Sequence, residues 1–129
     1  MIEKKFLINN KENLSLIIDQ LFKLNWQFLY LNGDLGAGKT TLVQEIAKKL
    51  NIKEKITSPT FNIMKIYPSL VHIDAYHLKG DLQEFEDYFD NKKVIIEWSD
   101  NLNLDYNNFV SINIYFNENN ERIYHLKKE

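Results

Sequence analysis

Residues Gly33 to Thr41 read Gly-Asp-Leu-Gly-Ala-Gly-Lys-Thr-Thr, a glycine, four residues, then Gly-Lys-Thr. Gly33, Gly36 and Gly38 let a main chain bend around an anion with its N–H groups pointing inward, because glycine takes positive φ at no steric cost. A helix beginning there adds its positive end. Lys39 supplies a point charge for the β and γ phosphates, the Thr40 hydroxyl completes the coordination of a bridging Mg²⁺, and Thr41 adds a phosphate hydrogen bond. With Asp34, Leu35 and Ala37 between them, these residues form a Walker A phosphate loop for a nucleoside triphosphate. ATP is expected rather than GTP, since Asn91-Lys92-Lys93-Val94 fails an Asn-Lys-x-Asp guanine-reading pattern at its last position.

Such a loop needs a carboxylate at the end of a nearby strand to hold the metal, directly or through water. Asp74 ends Leu70-Val71-His72-Ile73, and Glu97 ends Val94-Ile95-Ile96. In open α/β sheets ligands gather where strands finish, so both face the phosphates in this reading. One serves the metal while the other positions or deprotonates the attacking water, with Glu97 favoured beside Thr40 and Asp74 as a water-mediated metal partner or base. Thr60, in Ser58-Pro59-Thr60, offers a hydroxyl that can sense the γ-phosphate as switch segments do; a strand-initiating turn accounts for the same residues equally well. His72 reads as a core or edge residue of its strand, His125 lies far along the chain, and His77 has the better claim to the site. Trp98, beside Glu97, either packs as an ordinary aromatic or shields the site from water.

These groups need a scaffold, and 129 residues make one domain with a real core. The net charge is −2, and the 16 cations are lysines apart from Arg122. That is not the basic, arginine-rich footprint of an autonomous nucleic-acid binder. The absence of cysteine excludes disulfides and thiolate metal sites. No apolar stretch approaches the roughly 20 residues that span a bilayer, and the expectation is a cytoplasmic protein.

Phe28-Leu29-Tyr30-Leu31 reads as a buried strand before the loop, and Leu42, Val43, Ile46, Ala47 and Leu50 give a helix after it. Phe6-Leu7-Ile8 predicts a first strand; Asn9 or Asn10 caps a helix carrying Leu14, Ile17, Ile18, Leu21 and Leu24. The alternation from Phe61 to Tyr67 predicts a half-buried strand that Pro68-Ser69 turns into an antiparallel neighbour, Leu70 to Asp74. Asp81 to Phe89 is a short helix, and Phe109 to Phe116 with Arg122 to Leu126 form a terminal hairpin. The expected fold is an α/β three-layer P-loop NTPase sandwich with a mainly parallel central sheet and antiparallel additions.

Taken together, the loop at 33–41, Ser58-Pro59-Thr60-Phe61, His72-Ile73-Asp74-Ala75-Tyr76 and Glu97-Trp98, in this order, resemble the TsaE (YjeE) family, the ATPase component of tRNA threonylcarbamoyladenosine biosynthesis. The resemblance covers nearly the whole chain. It implies a small protein that binds ATP and Mg²⁺, is weakly active alone and works with TsaD and TsaB, which modify adenosine 37 of tRNAs reading codons that begin with A. It implies that residues 33–41 hold the phosphates, Thr40 and Glu97 the metal, that Asp74 and Thr60 support hydrolysis, and that a segment near Asn9 and Asn10 touches adenine. The chain departs from the pattern at His77, where the family usually has arginine, and in a shortened stretch from Asp81 to Tyr88. A shortened surface segment is expected there.

No guanidinium is evidently placed to act on the transferring phosphate, since Arg122 belongs to the terminal hairpin. An arginine finger is worth about 10³–10⁵ in rate, so a slow enzyme awaiting a partner is expected. The other readings of the loop are a small-molecule P-loop kinase and a non-hydrolysing nucleotide switch.

Overall fold

The structure is a computed structural model that describes residues 1–34, 36–59 and 63–129. Its elements are β1 (Ile2–Leu7), α1 (Leu14–Phe22), β2 (Phe28–Gly33), α2 (Lys39–Lys49), β3 (Met64–Tyr67), β4 (Leu70–Asp74), β5 (Lys93–Glu97), β6 (Phe109–Phe116) and β7 (Arg122–Lys128). Turns of 3₁₀ helix lie at Lys11–Asn13, Gln83–Tyr88 and Ser99–Asn101. The strands make one sheet in the order β1-β7-β6-β2-β5-β4-β3. Its centre, β6-β2-β5-β4, is parallel, and antiparallel pairs extend it at both edges, as expected.

The central strands are apolar on both faces because both faces are covered. Leu29, Leu31, Ile95 and Ile112 meet α1 and α2, which bury Leu14, Ile17 and Leu21 and Leu42, Val43 and Ile46. On the other face, Phe28, Val71, Ile73, Val94 and Ile96 lie under Leu82, Phe89 and Leu102. Among the described residues that second layer holds 3₁₀ turns and irregular chain rather than an α-helix. The short helix expected from Asp81 to Phe89 is the 3₁₀ segment Gln83–Tyr88. Its buried anchors, Leu82 and Phe89, sit at its two ends. A run this short forms too few i→i−4 bonds to offset α-nucleation.

Two strands are longer than their apolar residues suggest, β7 running on to Lys128 beyond Leu126 and β1 starting early. β1 starts at Ile2 rather than Phe6 and pairs along its length with β7, from Ile2 opposite Lys128 to Leu7 opposite Ile123. As an edge strand it tolerates Glu3, Lys4 and Lys5, which hid it in the sequence. Asn10 caps as expected, accepting from Asn13 N at 3.0 Å, but the turn it caps is the 3₁₀ segment preceding α1.

Parallel pairing brings the ends of β2, β5 and β4 to one edge of the sheet. Leu31 stands opposite Glu97, and Glu97 opposite Asp74. Side chains alternate along a strand, so His72 and Asp74 share a face with Leu70, and Glu97 with Ile95. That face carries α2.

Candidate functional site

β2 ends at Gly33, and α2 starts at Lys39 after Gly38 at φ +110°. The first-turn amides of α2 have no intrahelical acceptor, an arrangement suited to binding an anion. A cavity of about 430 Å³ opens over them, lined by Gly36, Gly38, Lys39, Thr40 and Thr41 from the loop and helix. Asp74, Tyr76, His77, Glu97, Trp98 and Ser58 close it. Other clefts have similar volumes, so chemistry rather than size singles this one out.

Within it, Lys39 is only 6% exposed. Its Nζ donates to the carbonyl oxygens of Gly33 and Asp34, the latter at 3.1 Å, and stands 4.4 Å above the Trp98 ring. Burial pushes this ammonium below its ordinary pKa of 10.5, against the pull of Glu97, Asp74 and Asp34. The lysine that a phosphate would recruit is folded back on its own loop.

Asp74 and Glu97 are 7% and 3% exposed. Oδ1 of Asp74 accepts from Tyr76 N at 2.9 Å, and Oε2 of Glu97 lies 2.5 Å from His72 Nε2. Trp98 follows at φ 59°, a left-handed conformation that costs a bulky residue free energy and turns its ring toward Lys39. Asn32 of β2 fastens that turn, donating to Ser99 Oγ at 2.8 Å and accepting from Asp100 N at 3.1 Å. Asn101 ties it to the end of β4 by donating to the carbonyls of Ala75 and Tyr76 at 3.1 and 3.2 Å. Tyr76 stands edge-on to Trp98, with centroids 4.9 Å apart.

The donor set suits a hard cation. Two buried carboxylates and the Thr40 hydroxyl share the cavity, while no cluster of three His, Cys, Asp or Glu able to hold a metal exists among the described residues. An ion here would draw its other ligands from phosphate and water, which is how Mg²⁺ is usually held.

Of the residues singled out in the sequence, Gly36, Gly38, Lys39, Thr40, Thr41, Asp74 and Glu97 line the cavity together. Gly33, Asp34 and Ala37 shape the loop from behind: the first two offer carbonyls to Lys39, and Ala37 N donates to Asp34 O at 3.0 Å. Leu35 and Thr60 lie outside the described residues. The roles of Asn32 and Asn101, and the engagement of Glu97 by His72, are not visible in the sequence. Nor is the place of Arg122, whose Nη1 would stand 3.4 Å from a Cβ at Gly38. That guanidinium and the Tyr124 hydroxyl both stand against Gly38, and the guanidinium carbon lies 5.3 Å from the Phe116 ring centroid.

Residues 8–126 match the family model of threonylcarbamoyl adenosine biosynthesis protein TsaE. The chain belongs to the TsaE family. Among its relatives, the tRNA threonylcarbamoyladenosine biosynthesis protein TsaE of Rickettsia typhi is 35% identical over 128 residues, spanning 92% of this chain and 88% of that protein. The Nostoc protein of the same name is 31% identical over 133 residues, 92% of this chain and 82% of its own. The Streptomyces coelicolor TsaE is 41% identical over 81 residues, and the match spans only 55% of its length. A crystal structure of Bacillus subtilis YdiB aligns with a TM-score of 0.71 at 27% identity, over 97% of this chain and 84% of that one. Within this TsaE scaffold His77 is exposed at the cavity mouth, its ring 4.7 Å from that of Tyr76. The shortened stretch before Tyr88 covers the opposite face of the sheet, away from the cavity.

Proposed function

We propose that this TsaE-family chain is a Mg²⁺-dependent ATPase with one P-loop domain. It serves, in the cytoplasm, the formation of the threonylcarbamoyl group on adenosine 37 of tRNAs reading codons that begin with A, acting with TsaD and TsaB partners. The observation that carries the reading is Lys39 beneath two buried carboxylates in one cavity, on a loop whose helix points its free amides inward. Family membership supports the pathway. The tRNA is reached through the complex, since the chain has a net charge of −2.

In this reading Lys39 exchanges the Gly33 and Asp34 carbonyls for phosphate oxygens when ATP binds, and the α2 amides take the remaining phosphate charge. Thr40 and Glu97 would hold Mg²⁺, which would supply charge neutralisation for the phosphates. Asp74 would orient water toward the phosphorus or toward the metal, and Thr60 would support hydrolysis. Tyr76, His77 and Trp98 restrict water at the mouth.

The test is ADP release by the purified chain, alone and with its TsaD and TsaB counterparts. Slow turnover that rises when the partners are added is expected. Glu97→Gln should lower that turnover about 10²–10⁴-fold while ADP binding persists. Turnover unchanged in Glu97→Gln refutes the assignment, and fast turnover by the chain alone refutes the dependence on partners.

A further inference from the structure

His72 is fully buried in β4, and its Nε2 meets Glu97 Oε2 across to β5. Its other ring nitrogen, Nδ1, is buried with no hydrogen-bond partner among the described residues. An orphaned buried polar atom costs free energy that an aliphatic side chain of similar size would not. The imidazole is therefore retained in the core for its one engagement, and that engagement is with a carboxylate lining the cavity.

We propose that His72 is a positioning residue for Glu97: its Nε2–H holds Oε2, so that Glu97 offers the cavity only Oε1. The proposal rests on the nucleotide-site reading above and extends it to a residue outside the cavity. Asp74 is treated alike by a different donor, because Tyr76 N occupies its Oδ1. Each carboxylate thus has one oxygen tied to the scaffold and one left for the cavity. Nothing else restrains Glu97 in this way among the described residues, for the hydrogen bonds of Lys39 go to the Gly33 and Asp34 carbonyls. Outer partners of this kind orient metal-ligating groups, and their loss typically costs about 10–100-fold in metal affinity or activity.

Two experiments test it. In the nucleotide-free chain, long-range ¹H–¹⁵N spectra of the imidazole should find the His72 proton on Nε2, with a resonance that moves in Glu97→Gln. A proton on Nδ1 instead, or an Nε2 indifferent to Glu97→Gln, overturns the proposal. The second measures Mn²⁺ affinity with ADP present, and ADP affinity without metal, in His72→Leu and His72→Gln. Leucine should weaken Mn²⁺ binding at least about 10-fold and lower kcat alike, with ADP affinity and the KM for ATP held within about 3-fold. Glutamine, which offers an N–H at similar reach, should recover most of the loss. Wild-type Mn²⁺ affinity in His72→Leu, or equal impairment by leucine and glutamine, overturns it. If His72→Leu fails to fold, the spectra and the glutamine variant decide. A wild-type chain that binds no ADP refutes the nucleotide reading instead, and the spectra still test the pair.

Discussion

Replacing Gly38 by alanine should destabilise the chain more than replacing Gly36, although both stand at positive φ in one loop. Gly36 has φ +79°, and a Cβ built there meets nothing within 4 Å. Its alanine therefore bears only the left-handed penalty, about 1 kcal/mol. Gly38 has φ +110°, and its Cβ would lie 2.9 Å from the Tyr124 hydroxyl and 3.4 Å from Nη1 of Arg122. Tyr124 is 1% exposed and Arg122 stands beside it, so its ring has little room to yield. Overpacking of this sort adds about 1–3 kcal/mol, for a total of about 2–4 kcal/mol at Gly38. The unfolding entropy of a chain this length converts 1 kcal/mol into about 4 °C.

Thermal melts followed by circular dichroism, without nucleotide, should thus place Gly36→Ala about 4 °C below wild type and Gly38→Ala about 8–16 °C below. Tyr124→Phe is the decisive companion. Alone it removes a buried hydroxyl beside Arg122 and costs about 1 kcal/mol. Combined with Gly38→Ala it also removes the atom that the new methyl strikes, so the double variant should be more stable than additivity predicts by about 1 kcal/mol or more. Equal losses at the two glycines, or strict additivity with Tyr124→Phe, would refute the idea that β7 buttresses the phosphate loop.

Three further outcomes are expected. Binding of ATP should change Trp98 emission, because Lys39 leaves its place 4.4 Å above the ring; a signal that survives in Trp98→Phe would point to Trp26 instead. Lys39 binds phosphate only when charged, and burial has lowered its pKa. ADP affinity should therefore weaken as pH rises through that lowered value, below 10.5, and calorimetry on the alkaline side should register proton uptake, since a bound phosphate raises the pKa again. Calorimetry without uptake in wild type contradicts this. Asn101→Ala removes the donor to the Ala75 and Tyr76 carbonyls and should cost about 1 kcal/mol in urea melts; turnover should fall with it, as the ends of β4 and β5 lose their tie, and unchanged turnover would mean that tie is not needed.

What was legible in the sequence was either local or repeated. The phosphate loop is one uninterrupted segment, and its glycines, lysine and threonines act through neighbouring backbone. Asp74 and Glu97 were legible because parallel strands end on one edge, so two short apolar runs each closed by a carboxylate already imply a shared site. The partner of His72 was hidden because it lies 25 residues away and depends on the register that sets Asp74 opposite Glu97. Periodicity says which residues are buried, not which buried polar atoms meet. Likewise Asn32 and Asn101 read as ordinary loop or strand-end residues until the turn after Trp98 lies between them.

Arg122 carries the larger lesson. Distant in sequence, it was set aside with the terminal hairpin, yet topology returns it to the loop. β6 runs parallel to β2, so its end reaches the edge where the phosphate loop begins, and β7, being antiparallel, starts at that same edge with Arg122 opposite Phe116. The guanidinium then lies beside Gly38 and Tyr124 rather than among the residues lining the cavity. It lies on the same face of the sheet as Asp74 and Glu97, but across β2 from β5 and β4, which carry them. A charge held there does not line the cavity in which a phosphoryl group would meet those carboxylates. Slow hydrolysis by the chain alone is therefore still an expectation, and ADP release measured with and without partners decides it.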